Sequence, residues 1–282
     1  MSADTMEVLP AAEARGTPLP VAVASMLFHV VLRLLPGVIF LAFWQYASGR
    51  LVRAAYVSSP VDVAARLISL FETGSIWPNL IVTGEELLLG YALGAASGVL
   101  CGYVLGRKPA LARIVEPYLM AFYGIPKIAL APLLVIWFGI GLWSKAVLAA
   151  TLVFFLMFYS VFAAVRSVDG ELVNLALVMG ARESQLGRHV YLPAAMPAVM
   201  LGLRMAIPYA VIGVIAGEFV SSLHGLGLYI SYASSTYDPA GVFAGITILL
   251  LFVLAANAVA ARIERRVLRW RPESHAVRTG SP

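Results

Sequence analysis

Arg166-Ser-Val-Asp-Gly-Glu-Leu-Val-Asn-Leu-Ala-Leu-Val-Met-Gly180-Ala-Arg-Glu-Ser-Gln-Leu-Gly-Arg-His-Val-Tyr-Leu-Pro193 is the stretch on which the fold turns. It is polar, mixed in charge and competent to form helix, and strongly apolar runs lie on both sides of it. Leu172, Leu175, Ala176 and Met179 fall at helical spacing and give its first half an apolar stripe. Gly180 supplies a turn or a point of close approach, and Gly187 a second. A helix-turn-helix over Glu171–His189 is therefore expected, with Pro193 and Pro197 at the entry to the next apolar run. An exposed apolar stripe on a surface segment suits a docking face for a partner, or a helix lying on lipid.

The flanking runs define the class. The chain is 61% hydrophobic and 12% charged, against about 25% charged in ordinary soluble domains. An apolar helix of about twenty residues crosses a bilayer core. Leu87–Gly106, Ala146–Val165, Met196–Gly217 and Val242–Ala261 qualify. Tyr118–Leu142 qualifies by length but holds Pro126, Lys127 and Pro132. Phe28–Ala47 qualifies if Arg33 snorkels to the interface. The expectation is an all-α polytopic membrane protein with six transmembrane helices. Its organisation reads as a tail over residues 1–27, a first span within 28–55, a core of five spans over 56–265, and a basic tail over 266–282. Residues 1–20 lack the basic and apolar regions of a signal peptide and read as a cytoplasmic tail.

Orientation follows from the basic residues. Arg107, Lys108 and Arg113 lie in one connection and Arg166, Arg182 and Arg188 in another. Arg262, Arg265, Arg266, Arg269, Arg271 and Arg278 close the chain. The alternate connections are poorer in Lys and Arg for their length. The 107, 166 and 262 segments are thus cytoplasmic, and both termini lie inside. Trp44, Trp77, Trp137 and Trp143 fall near expected span ends, where interfacial anchors belong. Val61–Phe71 reads as an amphipathic helix in the outer interface, and Ser221–Tyr237 as an outer loop running into a partly apolar helix.

Three features within the spans invite a role. Gly90, Gly94, Gly98 and Gly102 recur every fourth residue, with Gly106 continuing the series. They form one ridge that lets another backbone approach closely, for static packing or for sliding. Pro126 and Pro132 each remove a helix hydrogen bond, and broken membrane helices occur where they line protein or a water-filled cavity. Lys127 sits at that break, facing either a path for an anionic solute or a structural partner. Glu218 closes the fifth span and could partner Lys127 or stand at a gate. Glu85 and Glu86 read as interface residues, and Arg204 as packed on the polar segment or on lipid headgroups. Pro126, Lys127, Pro132 and Glu218 are the candidate translocation path.

Other chemistry is excluded by what is missing. The chain has three lysines and no phosphate-binding loop, HExxH or GxSxG motif, and its four histidines are scattered. Cys101 stands alone, so no intrachain disulfide forms. The expectation is a chain that is not an enzyme, has no metal or cofactor of its own, and binds no nucleic acid. A secondary transporter would require ion-coupling groups and repeats that the sequence does not display.

The polar segment also carries a resemblance. Asn174-Leu175-Ala176, three residues, Gly180, nine residues, then Val190-Tyr-Leu192-Pro193 is similar to the cytoplasmic loop of the inner-membrane permeases of bacterial ABC importers. In those proteins the loop reads Glu-Ala-Ala, Gly and Ile-x-Leu-Pro, so this chain departs at residues 174 and 175. Ile125-Pro-Lys-Ile-Ala-Leu-Ala-Pro-Leu133, Trp137-Phe-Gly-Ile-Gly141 with Ser144-Lys145, Leu192-Pro-Ala-Ala-Met-Pro197, Gly225-Leu-Gly227 and Leu268-Arg-Trp-Arg271 resemble the aliphatic sulfonate, taurine and nitrate branch. The resemblance covers roughly residues 56 to 272. It implies a methionine-importer-like type I permease fold in the bacterial inner membrane, and a homodimer that works with cytoplasmic ATPase subunits and an outer solute-binding protein. ATP and Mg would be bound by the ATPase, and the solute would be a small anion, or alternatively a vitamin precursor or other aromatic compound. Asn174, Leu175, Ala176, Gly180, Ala181, Leu192 and Pro193 would form the ATPase-coupling loop.

Overall fold

The computed structural model describes residues 19–270 and contains helices but no β-strand among them. The tail expected over 1–27 and the end of the basic tail, including Arg271 and Arg278, lie wholly or largely outside the described residues. The helices are α1 (Leu19–Ala47), α2 (Ala54–Val57), α3 (Pro60–Glu72), α4 (Trp77–Arg107), α5 (Pro109–Gly124), α6 (Ala131–Phe138), α7 (Leu142–Arg166), α8 (Gly170–Val178), α9 (Glu183–Leu186), α10 (Leu192–Val220), α11 (Leu226–Ser235) and α12 (Pro239–Val267). Among the described residues, those up to 61 and those from 62 onward form two separate packing units. In the first, α1 is a long apolar helix, and the indole of Trp44 donates to the Val57 carbonyl at 3.3 Å, folding α2 back onto its end.

In the second unit four helices are long and apolar enough to cross a membrane: α4, α7, α12, and the 38-residue run from Glu183 to Val220 that contains α10. α5 and α6 form a broken fifth, bent by 81°. The sixth span expected over 28–47 falls within α1, whose Val31–Ala47 portion is apolar. Hydropathy placed the start of the second span at Leu87, but α4 begins ten residues earlier, at Trp77. Glu85 and Glu86 end the apolar window without ending the helix. The amphipathic helix expected over Val61–Phe71 is α3, which buries Val63 and Leu70.

α7 is the central helix. Ala146, Leu148, Ala149, Val153, Met157 and Phe158 on it are fully buried. One side meets Ala195, Val199, Ala206, Ala210 and Val214 of α10. The other meets the glycine ridge of α4. A Cβ on Gly90 would lie 2.7 Å from the Ala146 carbonyl, one on Gly94 2.5 Å from that of Ala150, and one on Gly98 2.7 Å from the Met157 Cβ. Gly102 and Gly106 meet Phe158 and Val165 in the same way. Lipid is as apolar as these side chains, so close packing rather than exclusion from water holds the pair together. Phe154, Phe158 and Phe162, one helical turn apart, stack at 6.0 and 5.3 Å beside Leu105 and Ala112.

The polar segment forms the helix-turn-helix expected, with one difference. Asp169 caps α8 by accepting from the Glu171 N–H at 2.8 Å. α8 ends in a Schellman turn, in which Gly180 N–H reaches Leu177 O at 2.9 Å and Ala181 N–H reaches Ala176 O at 3.0 Å. Gly180 has φ +82, and nothing lies within 4 Å of where its Cβ would be, so its role is the turn and not close approach. The difference comes after α9. Pro193 was expected to mark a separate entry to the span, yet the helix runs from Glu183 to Val220 without a stop. A π turn over Gly187–Tyr191 is the reason: Leu192 N–H bonds to Gly187 O, five residues back, and the proline enters at the first turn of α10 where its missing N–H is tolerated.

Candidate translocation path and coupling surface

The path candidates centre on the break between α5 and α6. Ile125 and Pro126 are extended, a 3₁₀ turn follows over Lys127–Leu130, and α6 starts with Pro132 in its first turn. Breaking the helix frees the Tyr123 carbonyl, and the Lys127 ammonium donates to it. The same ammonium lies 4.4 Å from the Tyr123 ring centroid and 4.7 Å from that of Phe155. These contacts fix Lys127 at the edge of an open cleft of about 330 Å³ lined also by Leu152, Leu156 and Tyr209. An ammonium has three donors, so Lys127 keeps capacity for a further acceptor. Pro126 and Pro132 act by shaping the break.

Glu218 does not join this group. Its side chain is 1% exposed, and it accepts from the Thr83 hydroxyl at 2.6 Å and from the Gly227 N–H. The suggested pairing with Lys127 is therefore replaced by an anchor between α4, α10 and the start of α11. Glu86 is corrected too. It was read as an interface residue, but it is 1% exposed and lies 3.6 Å from the ammonium of Lys145, itself 2% exposed. Lys145 stood out in the sequence only as part of a family motif. Its position in the first turn of α7, beside an acidic residue nine positions into an apolar helix, was the available signal. Arg204, expected on the polar segment or lipid, instead pairs with Glu264 of α12 at 3.0 Å.

The coupling candidates are at the opposite end of the bundle. α8 buries no residue, and Leu172, Leu175, Leu177, Val178 and Met179 are all exposed, Val178 by 86%. Asn174, Leu175 and Ala176 lie on this helix, with Gly180 and Ala181 in its closing turn. Leu192 and Pro193 lie past the π turn at the start of α10. α9 and the π turn are fastened to the end of α4. Arg107 donates to the Glu183 carbonyl at 3.0 Å and to its carboxylate. Its guanidinium lies 5.5 Å from the Tyr103 ring and 5.3 Å from the Tyr191 ring. The Tyr103 hydroxyl donates to Gly187 O at 2.8 Å. A Cβ on Gly187 would lie 2.5 Å from the Arg107 guanidinium, so a side chain there would push that group out of its place. Neither Tyr103 nor Arg107 was singled out for this role by sequence.

A bundle with a broken span, an apolar surface helix and a Gly-to-Leu-Pro segment continuous with a span has a counterpart among known proteins. Residues 94–269 match the family model described as binding-protein-dependent transport system inner membrane component. The chain belongs to that permease family. It is 32% identical to the formylaminopyrimidine transport permease protein ThiX of Halalkalibacterium halodurans, over 82% of this chain and 92% of ThiX. It is 33% identical to the riboflavin transport system permease protein RibX of Chloroflexus aurantiacus, over 82% and 87%. The putative aliphatic sulfonates transport permease protein SsuC of Bacillus subtilis is 31% identical, over 84% and 86%. An inward-facing structure of the MetNI methionine ABC transporter superposes with TM-score 0.55 at 25% identity, covering 68% of this chain and 94% of that one. The permease is thus a membrane component of an ABC importer with the type I fold, and its relatives include sulfonate permeases as the sequence resemblance indicated.

Proposed function

We propose that the permease moves a small anion, of the sulfonate, taurine or nitrate kind, across the bacterial inner membrane by alternating access driven by ATP. The observation that carries this reading is the Lys127 ammonium at a helix break beside an open cleft. A cation inside a membrane protein is costly unless it faces partners or solvent, and this one retains free donors for an acidic group. A second reading, an aromatic solute such as a vitamin precursor, is favoured by the rings of Tyr123, Phe155 and Tyr209 around the same cleft and by the names of ThiX and RibX.

The working assembly in this proposal is two copies of the permease, two cytoplasmic ATPase subunits that hold ATP and Mg, and an outer solute-binding protein. Both termini face the cytoplasm, residues 28–55 supply the first span and 56–265 the core. The exposed apolar face of α8 seats in the ATPase, with Asn174, Leu175, Ala176, Gly180 and Ala181 at the contact. ATP binding shifts the permease between states through contacts that differ between them. The test is uptake into proteoliposomes holding the permease, its ATPase and its binding protein. Uptake that requires ATP, and that taurine or an alkanesulfonate competes for, supports the first reading. Competition by heteroaromatic compounds alone selects the second. Uptake by the permease without ATP or ATPase overturns both.

A further inference from the structure

The end of the bundle away from the coupling loop holds a charged cluster that transport as described above does not use. α11 begins at Gly225, which has no side chain to cap the exposed N–H groups of a helix start. Other elements supply the caps. Gly225 N–H donates to Asn79 Oδ1 at 2.9 Å, Leu226 N–H donates to Thr83 Oγ1 at 2.8 Å, and Gly227 N–H donates to Glu218. The two glycines are required by closeness. A Cβ on Gly225 would lie 2.3 Å from Glu218 Oε1, and one on Gly227 2.7 Å from Oε2. Gly217 makes the same allowance for Lys145, with a Cβ position 2.8 Å from its Cγ.

The proton inventory of this cluster is uneven. Each Glu218 oxygen accepts from a donor, Thr83 on one side and Gly227 on the other, as an ionised carboxylate would. Glu86 differs. Its Oε2 is buried and receives no donor, and its Oε1 stands 3.6 Å from Lys145 Nζ, longer than a hydrogen bond. It lies one turn along α4 from Thr83, on the face whose Thr83 hydroxyl bonds Glu218. The charged groups acting on Glu86 are Glu218 from α10 and Lys145 from α7. With both carboxyls ionised the dry site would hold two anions and one cation. With one proton it is neutral, and burying a neutral set costs far less than burying a net charge.

We propose that Glu86 holds a resident proton, and that the neutral set of Glu86, Glu218 and Lys145 locks the Gly225–Gly227 turn, and α11 with it, onto α4 and α10 so that they move as one body. That this end faces outward rests on the orientation proposed above; the proton and the lock do not.

Two measurements test this. Infrared spectra of the purified permease, exchanged between H2O and D2O, should contain the carbonyl band of a buried carboxylic acid. That band should vanish in Glu86→Gln and persist in Glu85→Gln. Absence of the band in the unmodified protein, or its survival in Glu86→Gln, overturns the proposal whether or not transport has been reconstituted. The lock is read by maleimide labelling of Ser222→Cys in a Cys101→Ser background. Glu86→Gln, which puts a neutral side chain in place of a neutral acid, should label at the unmodified rate. Glu218→Gln, whose amide N–H₂ meets the donors of Thr83 or Gly227, should label about tenfold faster, the equivalent of one buried bond lost. Equal rates in the two variants overturn the lock.

Discussion

Gly98 of α4 and Met157 of α7 are in contact so close that a Cβ on the glycine would sit 2.7 Å from that of the methionine, with the Phe154 carbonyl equally near. The neighbours are backbone and Cβ atoms, which cannot swing aside. Gly98→Val should therefore force α4 and α7 apart and destabilise the permease by about 1–3 kcal/mol, the usual cost of overpacking. The measurement is thermal unfolding in detergent followed by size-exclusion fluorescence. Gly84→Val, where nothing lies within 4 Å, is the control and should melt close to the unmodified protein.

Gly180 offers a separation of strain from bulk. Its left-handed φ costs an ordinary residue about 1–2 kcal/mol, and asparagine adopts it more readily than most. Gly180→Asn should preserve solute-stimulated ATP hydrolysis in the reconstituted complex. Gly180→Trp should leave the spans inserted but impair coupling, because the open space around Gly180 is the space an ATPase subunit would fill. Normal stimulated hydrolysis and normal uptake in Gly180→Trp would remove the coupling assignment from this turn.

Arg107 should matter more than its ion pair suggests. The Glu183 side chain is 82% exposed, and exposed ion pairs contribute about 0–1 kcal/mol. Glu183→Gln should consequently have uptake near normal. Arg107→Ala also loses the bond to the Glu183 carbonyl and both ring contacts, an effect on the order of 2 kcal/mol. It should lower uptake while ATP hydrolysis continues, and the ratio of solute moved to ATP consumed reads this directly. Arg107→Lys should not restore the ratio, since an ammonium cannot reproduce the planar fork between two rings.

Lys127→Met should raise the uptake KM of an anionic solute about tenfold or more, consistent with loss of a charge-assisted hydrogen bond. Assembly with the ATPase, judged by co-purification, should be unchanged. Lys127→Arg should recover part of the loss. An unaltered KM in Lys127→Met would place the solute elsewhere.

Hydropathy and motif spacing made most of this bundle legible. The glycine ridge, the proline break and the spacing from Gly180 to Pro193 each depend on residues near one another in the chain. Their local geometry follows from periodicity and backbone rules alone. The cluster of Glu86, Lys145 and Glu218 depends on three helices meeting, and each residue taken singly lies where an interfacial charge would be ordinary. Gly225-Leu-Gly227 was visible as a motif, but its cause was hidden until Glu218 was seen folded back onto it. Pro193 misled for a different reason. A π turn absorbs its missing N–H, and nothing in the spelling of Gly187–Tyr191 announces a five-residue hydrogen bond.

That π turn has a mechanical consequence. Because the chain stays helical from Glu183 to Val220, the turn fastened by Arg107 and the turn that carries Glu218 belong to one continuous helical run, about 57 Å of helix at 1.5 Å per residue. The end beside α8 and the end that holds the turn opening α11 are thus joined by one helical path, with Pro197 and Pro208 inside it. A displacement at one face of the membrane would reach the other through the backbone itself, with no loop between to absorb it.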